Sequence, residues 1–200
     1  MKMYFRVFLL GCLVFFTTQC MREGTLQQVC WPSDGSIGYA SSYEKHCKTD
    51  LKWAPSIVFP LSVKIDASVP DMYQDSVEAA VRLWNIEIGP VFRIATASAG
   101  IEPRVDISWG SARGDLLAYT QHRGSSAGII AAKVTMIEAS DLHTVYRIAT
   151  HELGHVLGLK HSHSVRDIMY PIQEVETLES FTYVLPSDAD RRLLKRLYVK

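Results

Sequence analysis

Between positions 151 and 161 the chain reads His151-Glu152-Leu153-Gly154-His155-Val156-Leu157-Gly158-Leu159-Lys160-His161, which sets histidines and a glutamate at the spacing a catalytic metal site needs. His151 and His155 are four apart, so on a helix their imidazoles leave the same face one turn above the other. Glu152 lies one position round, where its carboxylate can take a proton from an activated water without itself ligating the ion. Gly158 reaches positive φ at little cost, which ends the helix and brings His161 back as a third ligand. Such a set suits zinc, and three protein ligands with one position left open mark a working zinc, not a structural one. A chance His-Glu-x-x-His somewhere in this chain has a probability of roughly one in a hundred, and requiring Gly158 and His161 as well lowers it to on the order of a few in a hundred thousand. The short motif alone is suggestive; the long one is specific.

These ligands need a helix and a floor beneath it. Asp141 is placed to cap a helix from about Leu142 to Leu157, with Val145, Ile148, Ala149, Leu153 and Val156 on its buried side and the metal motif in its last two turns. Upstream, Ser62 to Asp66 alternates as a half-buried strand. Val77, Ala80, Val81, Trp84 and Ile88 fall at helical spacing behind Pro70-Asp71, and Gly89-Pro90 stops that helix. Phe92 to Ala95, Val105 to Trp109, a short Leu116 to Thr120 and the long β-prone run Gly128 to Ile137 read as strands. A closing helix begins near Ser187, with Leu193, Leu194, Leu197 and Tyr198 on its apolar face. The order predicts one α+β domain, a twisted and mostly parallel sheet against two helices, with a third helix last.

Eight residues past His161 stands Met169, within Asp167-Ile168-Met169-Tyr170-Pro171. Here the chain resembles the metzincin metallopeptidases, whose long histidine motif is followed by a methionine-containing turn beneath the zinc. A polarisable thioether such as that of Met169 can floor the imidazoles. Ser162 after the third histidine, and Tyr170-Pro171 after the methionine, are similar to the matrixin (matrix metalloproteinase-like) pattern. They differ from the aspartate of the adamalysins and the glutamate of the astacins. Pro171 stands where astacins and serralysins hold a tyrosine ligand, so no such ligand is expected.

The resemblance covers about residues 53 to 200, with Lys52-Trp53, the strand near Val63, Trp84-Asn85 and Leu197-Tyr198 adding to it. It implies a zincin-like α+β domain: a five-stranded mixed sheet with an antiparallel edge strand, two long helices and a C-terminal helix. It also implies a zinc endopeptidase with one catalytic ion on His151, His155 and His161, Glu152 as general base and then acid, and a protein or peptide substrate. The antiparallel edge strand is assigned to Lys133 to Ile137, so an extended substrate is expected to pair with backbone around Ala132, Lys133 and Val134. Tyr170, Pro171 and the segment to Pro186, with Phe181 and Tyr183, are expected to shape an apolar pocket. His122 lies in the region where animal matrixins hold a second, structural zinc, but the rest of that ligand set is missing and no second zinc is predicted. Calcium is possible but unsupported, because Asp106, Asp115 and Glu138 form no recognisable loop. His163 reads as a surface residue, and Asp190 as a solvated charge at a helix start.

The N-terminus is different in kind. Lys2 and Arg6 precede the apolar run Val7 to Phe16, and Thr17-Thr18-Gln19-Cys20 breaks it, which reads as a secretory signal over residues 1–19. Ten apolar residues are too few for a permanent membrane helix. Residues 20–52 read as an N-terminal extension, and 53–200 as the catalytic domain. Cys20 stands where the lipidated cysteine of a bacterial lipoprotein would stand, although the residues before it depart from the usual small-residue pattern; lipidation and ordinary cleavage nearby both stay open. Cys30 and Cys47 are an even pair in an oxidising compartment, and a disulfide between them is expected. Val29-Cys30-Trp31-Pro32 does not match the propeptide cysteine motif that keeps many matrixins latent.

With 21 basic and 21 acidic residues the formal charge is zero, so no global field favours nucleic acid or an anionic surface. The expected product is an exported monomer, at the membrane only through a lipid on Cys20. The rival readings are a zinc-binding adhesion protein without turnover, against which the intact Glu152 argues, and a metal hydrolase acting on a non-peptide amide.

Overall fold

A computed structural model describes residues 51–95, 103–110, 117–125, 127–137, 141–164, 166–170 and 185–199. Along them run β1 (Leu61–Ile65), α1 (Asp71–Ile88), β2 (Phe92–Ile94), β3 (Val105–Trp109), β4 (Ala118–Ser125), β5 (Gly128–Met136), α2 (Leu142–Val156) and α3 (Asp188–Tyr198). Residues 1–19, expected to be a signal, and Cys20, Cys30, Cys47, Pro171, Phe181 and Tyr183 lie outside the described residues. The strands form one sheet in the order β2-β1-β3-β5-β4, parallel except for β4, which runs antiparallel to β5. This is the mixed five-stranded sheet with two long helices and a closing helix that the resemblance implied.

The residues at helical spacing in α1 are the ones it buries: Val77, Ala80, Val81, Trp84 and Ile88. They pack on α2, and α2 in turn lies on β4 and β5. Burial of each large apolar side chain contributes about 1.5–3 kcal/mol, and Trp84, fully enclosed, also donates its indole N–H to the Thr150 carbonyl at 2.9 Å. Asn85 fixes the turn into β2: its Oδ1 accepts from the Val91 and Phe92 amides, and its Nδ2 donates to the Phe92 carbonyl. The Trp84-Asn85 pair therefore ties α1 both to α2 and to the sheet. Asp141 caps α2 as expected, accepting from the Thr144 amide at 2.9 Å.

Three expectations are corrected. The antiparallel edge strand is β4, not Lys133 to Ile137. Those residues belong to β5, which pairs with β3 on one side (Val105↔Ala132, Asp106↔Lys133, Ile107↔Val134) and with β4 on the other (His122↔Ala132, Gln121↔Lys133, Thr120↔Val134). With both neighbours in place, the backbone of Ala132, Lys133 and Val134 has no free edge on which to receive a substrate strand. The strand read as Leu116 to Thr120 runs instead from Ala118 to Ser125, and so takes in His122. Asp190 is half-buried, not solvated. It completes a capping box with Ser187 at the start of α3, and burial together with the nearby Asp167 pushes its carboxyl upward, against the Ser187 hydrogen bonds.

Candidate metal centre

Where α2 ends, four carbonyls lose their intrahelical partners, and they are answered partly by the turn that follows and partly by side chains from elsewhere. Gly158 adopts φ +92°, and the chain closes in a Schellman arrangement: the Leu159 amide donates to the Gly154 carbonyl at 3.0 Å and the Gly158 amide to that of His155 at 2.8 Å. The Trp53 indole N–H donates to the Val156 carbonyl and the Tyr198 hydroxyl to that of Leu157, each at 2.9 Å. His122 adds a second bond to the His155 carbonyl, 2.8 Å from its Nε2. Trp53 and Tyr198, at opposite ends of the described chain, thus close the helix that carries the ligands.

The turn brings three imidazoles together. The Nε2 atoms of His151 and His155 lie 3.1 Å apart, and that of His161 is 3.3 Å from each. Tetrahedral zinc with Zn–N bonds of about 2.0–2.1 Å requires nitrogens roughly 3.3–3.4 Å apart, so the triangle fits the ion. Among the described residues these are the His, Cys, Asp and Glu side chains grouped to hold a metal. The opposite ring nitrogens fix which atom faces the centre: Nδ1–H of His151 donates to the Ile168 carbonyl at 2.7 Å, and Nδ1–H of His155 to that of Leu159 at 2.8 Å. With Nδ1 carrying the proton, Nε2 presents its lone pair.

Burial keeps these rings neutral. It pushes His155 down to about 4 and His161 down to about 3, the latter helped by the neighbouring His155. His151 lies well below the ordinary histidine range, through burial first, then His155 and His161, with Arg147 adding a smaller push. Neutral imidazoles are the form a cation needs. Glu152 moves the other way: burial raises its carboxyl to about 7, against the lowering effect of a hydrogen bond from Thr120. That bond runs from Thr120 Oγ1 to Glu152 Oε2 at 2.6 Å.

These shifts have a consequence for the metal-free protein. Below pH 6.5 the unfolded chain takes up protons that buried His122, held down to about 4, and His155 refuse in the folded state, so stability falls as pH falls from 6.5 towards 4. Glu152 opposes this, since its raised carboxyl favours the fold below 4.5 and loses that advantage as pH rises through about 7. Four depressed histidines outweigh one raised glutamate. Acidification is expected to lower the urea midpoint of the metal-free protein, with His122 alone contributing roughly 3 kcal/mol by pH 4. Melts across that range check the slope, and a His122→Gln variant should flatten it.

Met169 is fully buried, its amide held by Asp167 Oδ1 at 3.0 Å and its carbonyl by the Ser162 amide at 2.8 Å. Gly154 makes the room for it, because a Cβ there would overlap the Met169 sulfur. Tyr170 follows half-buried, while His163 is exposed and apart from the triad. Thr120, His122 and Asp167, all under a tenth exposed, are the contributors that the motif did not mark. A β-prone stretch with Thr120 and His122 two apart, hence on one strand face, was the available signal.

A helix bearing His151, Glu152 and His155, a glycine turn returning His161, and a buried methionine turn further along the chain make the arrangement of a metzincin-type zinc site. The family description Matrixin matches residues 106–199. The chain is 29% identical over 155 residues to matrix metalloproteinase-18 of Xenopus laevis, covering 70% of this chain and 32% of that protein. It is 40% identical over 62 residues to matrix metalloproteinase-15 of Homo sapiens (30% of this chain, 9% of that protein) and 43% identical over 54 residues to matrix metalloproteinase-25 of Mus musculus (27% and 9%). Over residues 106–199 the chain carries the matrixin pattern, as a distant relative of the matrix metalloproteinases. It spans about a third of the first relative's length and about a tenth of the other two.

Proposed function

We propose that the chain is an exported zinc-dependent endopeptidase. The observation that carries the reading is the convergence of the His151, His155 and His161 Nε2 atoms to 3.1–3.3 Å on the helix that also bears buried Glu152. A zinc ion held there supplies Lewis-acid activation of water and of the substrate carbonyl. Glu152 takes the attacking water's proton on its carboxylate and returns it to the leaving amine, a shuttle suited to a carboxyl raised to about 7. The Ile168 and Leu159 carbonyls hold the proton on Nδ1 of two ligands throughout.

An extended substrate is proposed to add as a further strand on the outer edge of β4. In support, among the described residues no strand pairs with that side of it. Tyr170 and Pro171 are proposed to help recognise the residue after the scissile bond. Residues 1–19 direct export, Cys20 is the candidate for lipid attachment, Cys30 and Cys47 form a disulfide, and the domain from residue 53 acts as a monomer.

Purified protein is expected to cleave casein, to lose that activity in excess chelator, and to regain it when zinc is restored. Cleavage that persists in chelator would reject a metal-dependent mechanism.

A further inference from the structure

Thr120 and His122 are two apart on β4, both buried, and both reach from the strand face to α2. His122 bonds the His155 carbonyl, while Thr120 bonds the catalytic carboxylate itself. The Thr120 hydroxyl also lies 3.2 Å from the Glu152 carbonyl, but it has a single proton, and the 2.6 Å approach to Oε2 claims it. That length is typical of a hydroxyl donating to a carboxylate, a class about twice as strong as a neutral hydrogen bond. Glu152 carries a flexible side chain next to one metal ligand and three residues before another, so without an anchor its carboxylate has several rotamers to choose from. Anchoring one oxygen leaves the other as the proton acceptor in a fixed place.

We propose that Thr120 is a positioning residue: its hydroxyl holds one carboxylate oxygen of Glu152 so that the other meets the water used in hydrolysis. The proposal rests on the peptidase reading above. It makes β4 serve twice, as the edge offered to substrate and as the strand that aims the base. The aim affects the chemical step and not the ground-state pairing with substrate, so its loss should appear in kcat and not in KM.

The test compares the wild-type protein with Thr120→Val, which keeps β-branching and shape but loses the O–H, and Thr120→Ser, which restores it. Measured are kcat and KM on a casein-derived peptide, and zinc affinity by competition with a chelator. Thr120→Val should lower kcat about ten- to a hundredfold, with KM and zinc affinity within about twofold of wild type, and Thr120→Ser should recover most of the loss. In metal-free protein, the urea-midpoint shifts of Thr120→Val and Glu152→Ala should fail to add, because both remove the same bond. Wild-type kcat in Thr120→Val, a loss confined to KM or zinc affinity, or additive midpoints would each overturn the assignment. A wild-type protein that cleaves nothing would overturn the peptidase reading and this role with it. An active wild type with an equally active Thr120→Val overturns this role alone.

Discussion

Glu152→Gln is expected to give a folded, zinc-loaded protein whose kcat falls by roughly 10²–10⁴-fold with KM little changed. Glutamine nearly matches glutamate in volume, and its side-chain oxygen can still accept from Thr120 Oγ1, so the local packing of a residue only 6% exposed is preserved. What disappears is a group able to take a proton. The His151, His155 and His161 geometry does not depend on that carboxylate, since Ile168 and Leu159 hold two of the rings. Zinc content should therefore stay at wild-type level, measured by metal analysis of the purified variant. Stability should hold or rise, because a buried acid is costly to ionise, and glutamine removes that cost. A variant with near wild-type kcat would put the general base elsewhere and leave Glu152 a structural role.

The centre was legible because its parts are local. His151 and His155 are related by one helical turn, and His161 by one glycine-dependent reversal, so a ten-residue separation contains the whole coordination problem. α1 and α2 were legible for the same reason, as their buried faces repeat at 3.6 residues and need no knowledge of the partner. Sheet order is a different kind of information. β5 follows β4 in sequence yet lies between β3 and β4 in space, and nothing local states that insertion. One clue existed. Ile129, Ala132, Val134 and Met136 are all buried in β5, as suits a strand flanked on both sides, whereas β4 carries Gln121 and Arg123, polar residues suited to an edge. Assigning the edge to the apolar run places it one strand inward of the edge observed.

The helix-end contacts lay further beyond reach. Trp53 and Tyr198 were matched to the family by resemblance, but their service to the Val156 and Leu157 carbonyls spans 103 and 41 residues of chain. Thr120 looked like the last residue of a short strand, and only the docking of β4 against α2 turns its hydroxyl into a partner for Glu152. In each case a polar tip became meaningful once tertiary packing removed water from both ends.

The turn at Gly158 concentrates this dependence, and Gly158→Ala is expected to be the most damaging single-methyl change in the domain. Two costs coincide there. A φ of +92° is strained for any residue with a Cβ, and an added Cβ would collide with the Leu51 carbonyl group, which is backbone and cannot rotate away as a side-chain end could. Escape requires shifting the turn, and the turn sets the Leu159 carbonyl that orients His155 and the path that returns His161. Stability is expected to fall by about 3 kcal/mol or more, and zinc affinity by roughly ten- to a hundredfold. Gly154→Ala offers the contrast within the same helix, for there the obstructing atoms are the Met169 thioether and the Trp84 ring edge, of which the first is flexible. Urea melts with and without zinc, together with chelator competition, separate the two terms. If Gly158→Ala melts at the wild-type midpoint and binds zinc unchanged, then the Leu51 segment yields freely, and the reversal that delivers His161 does not depend on glycine.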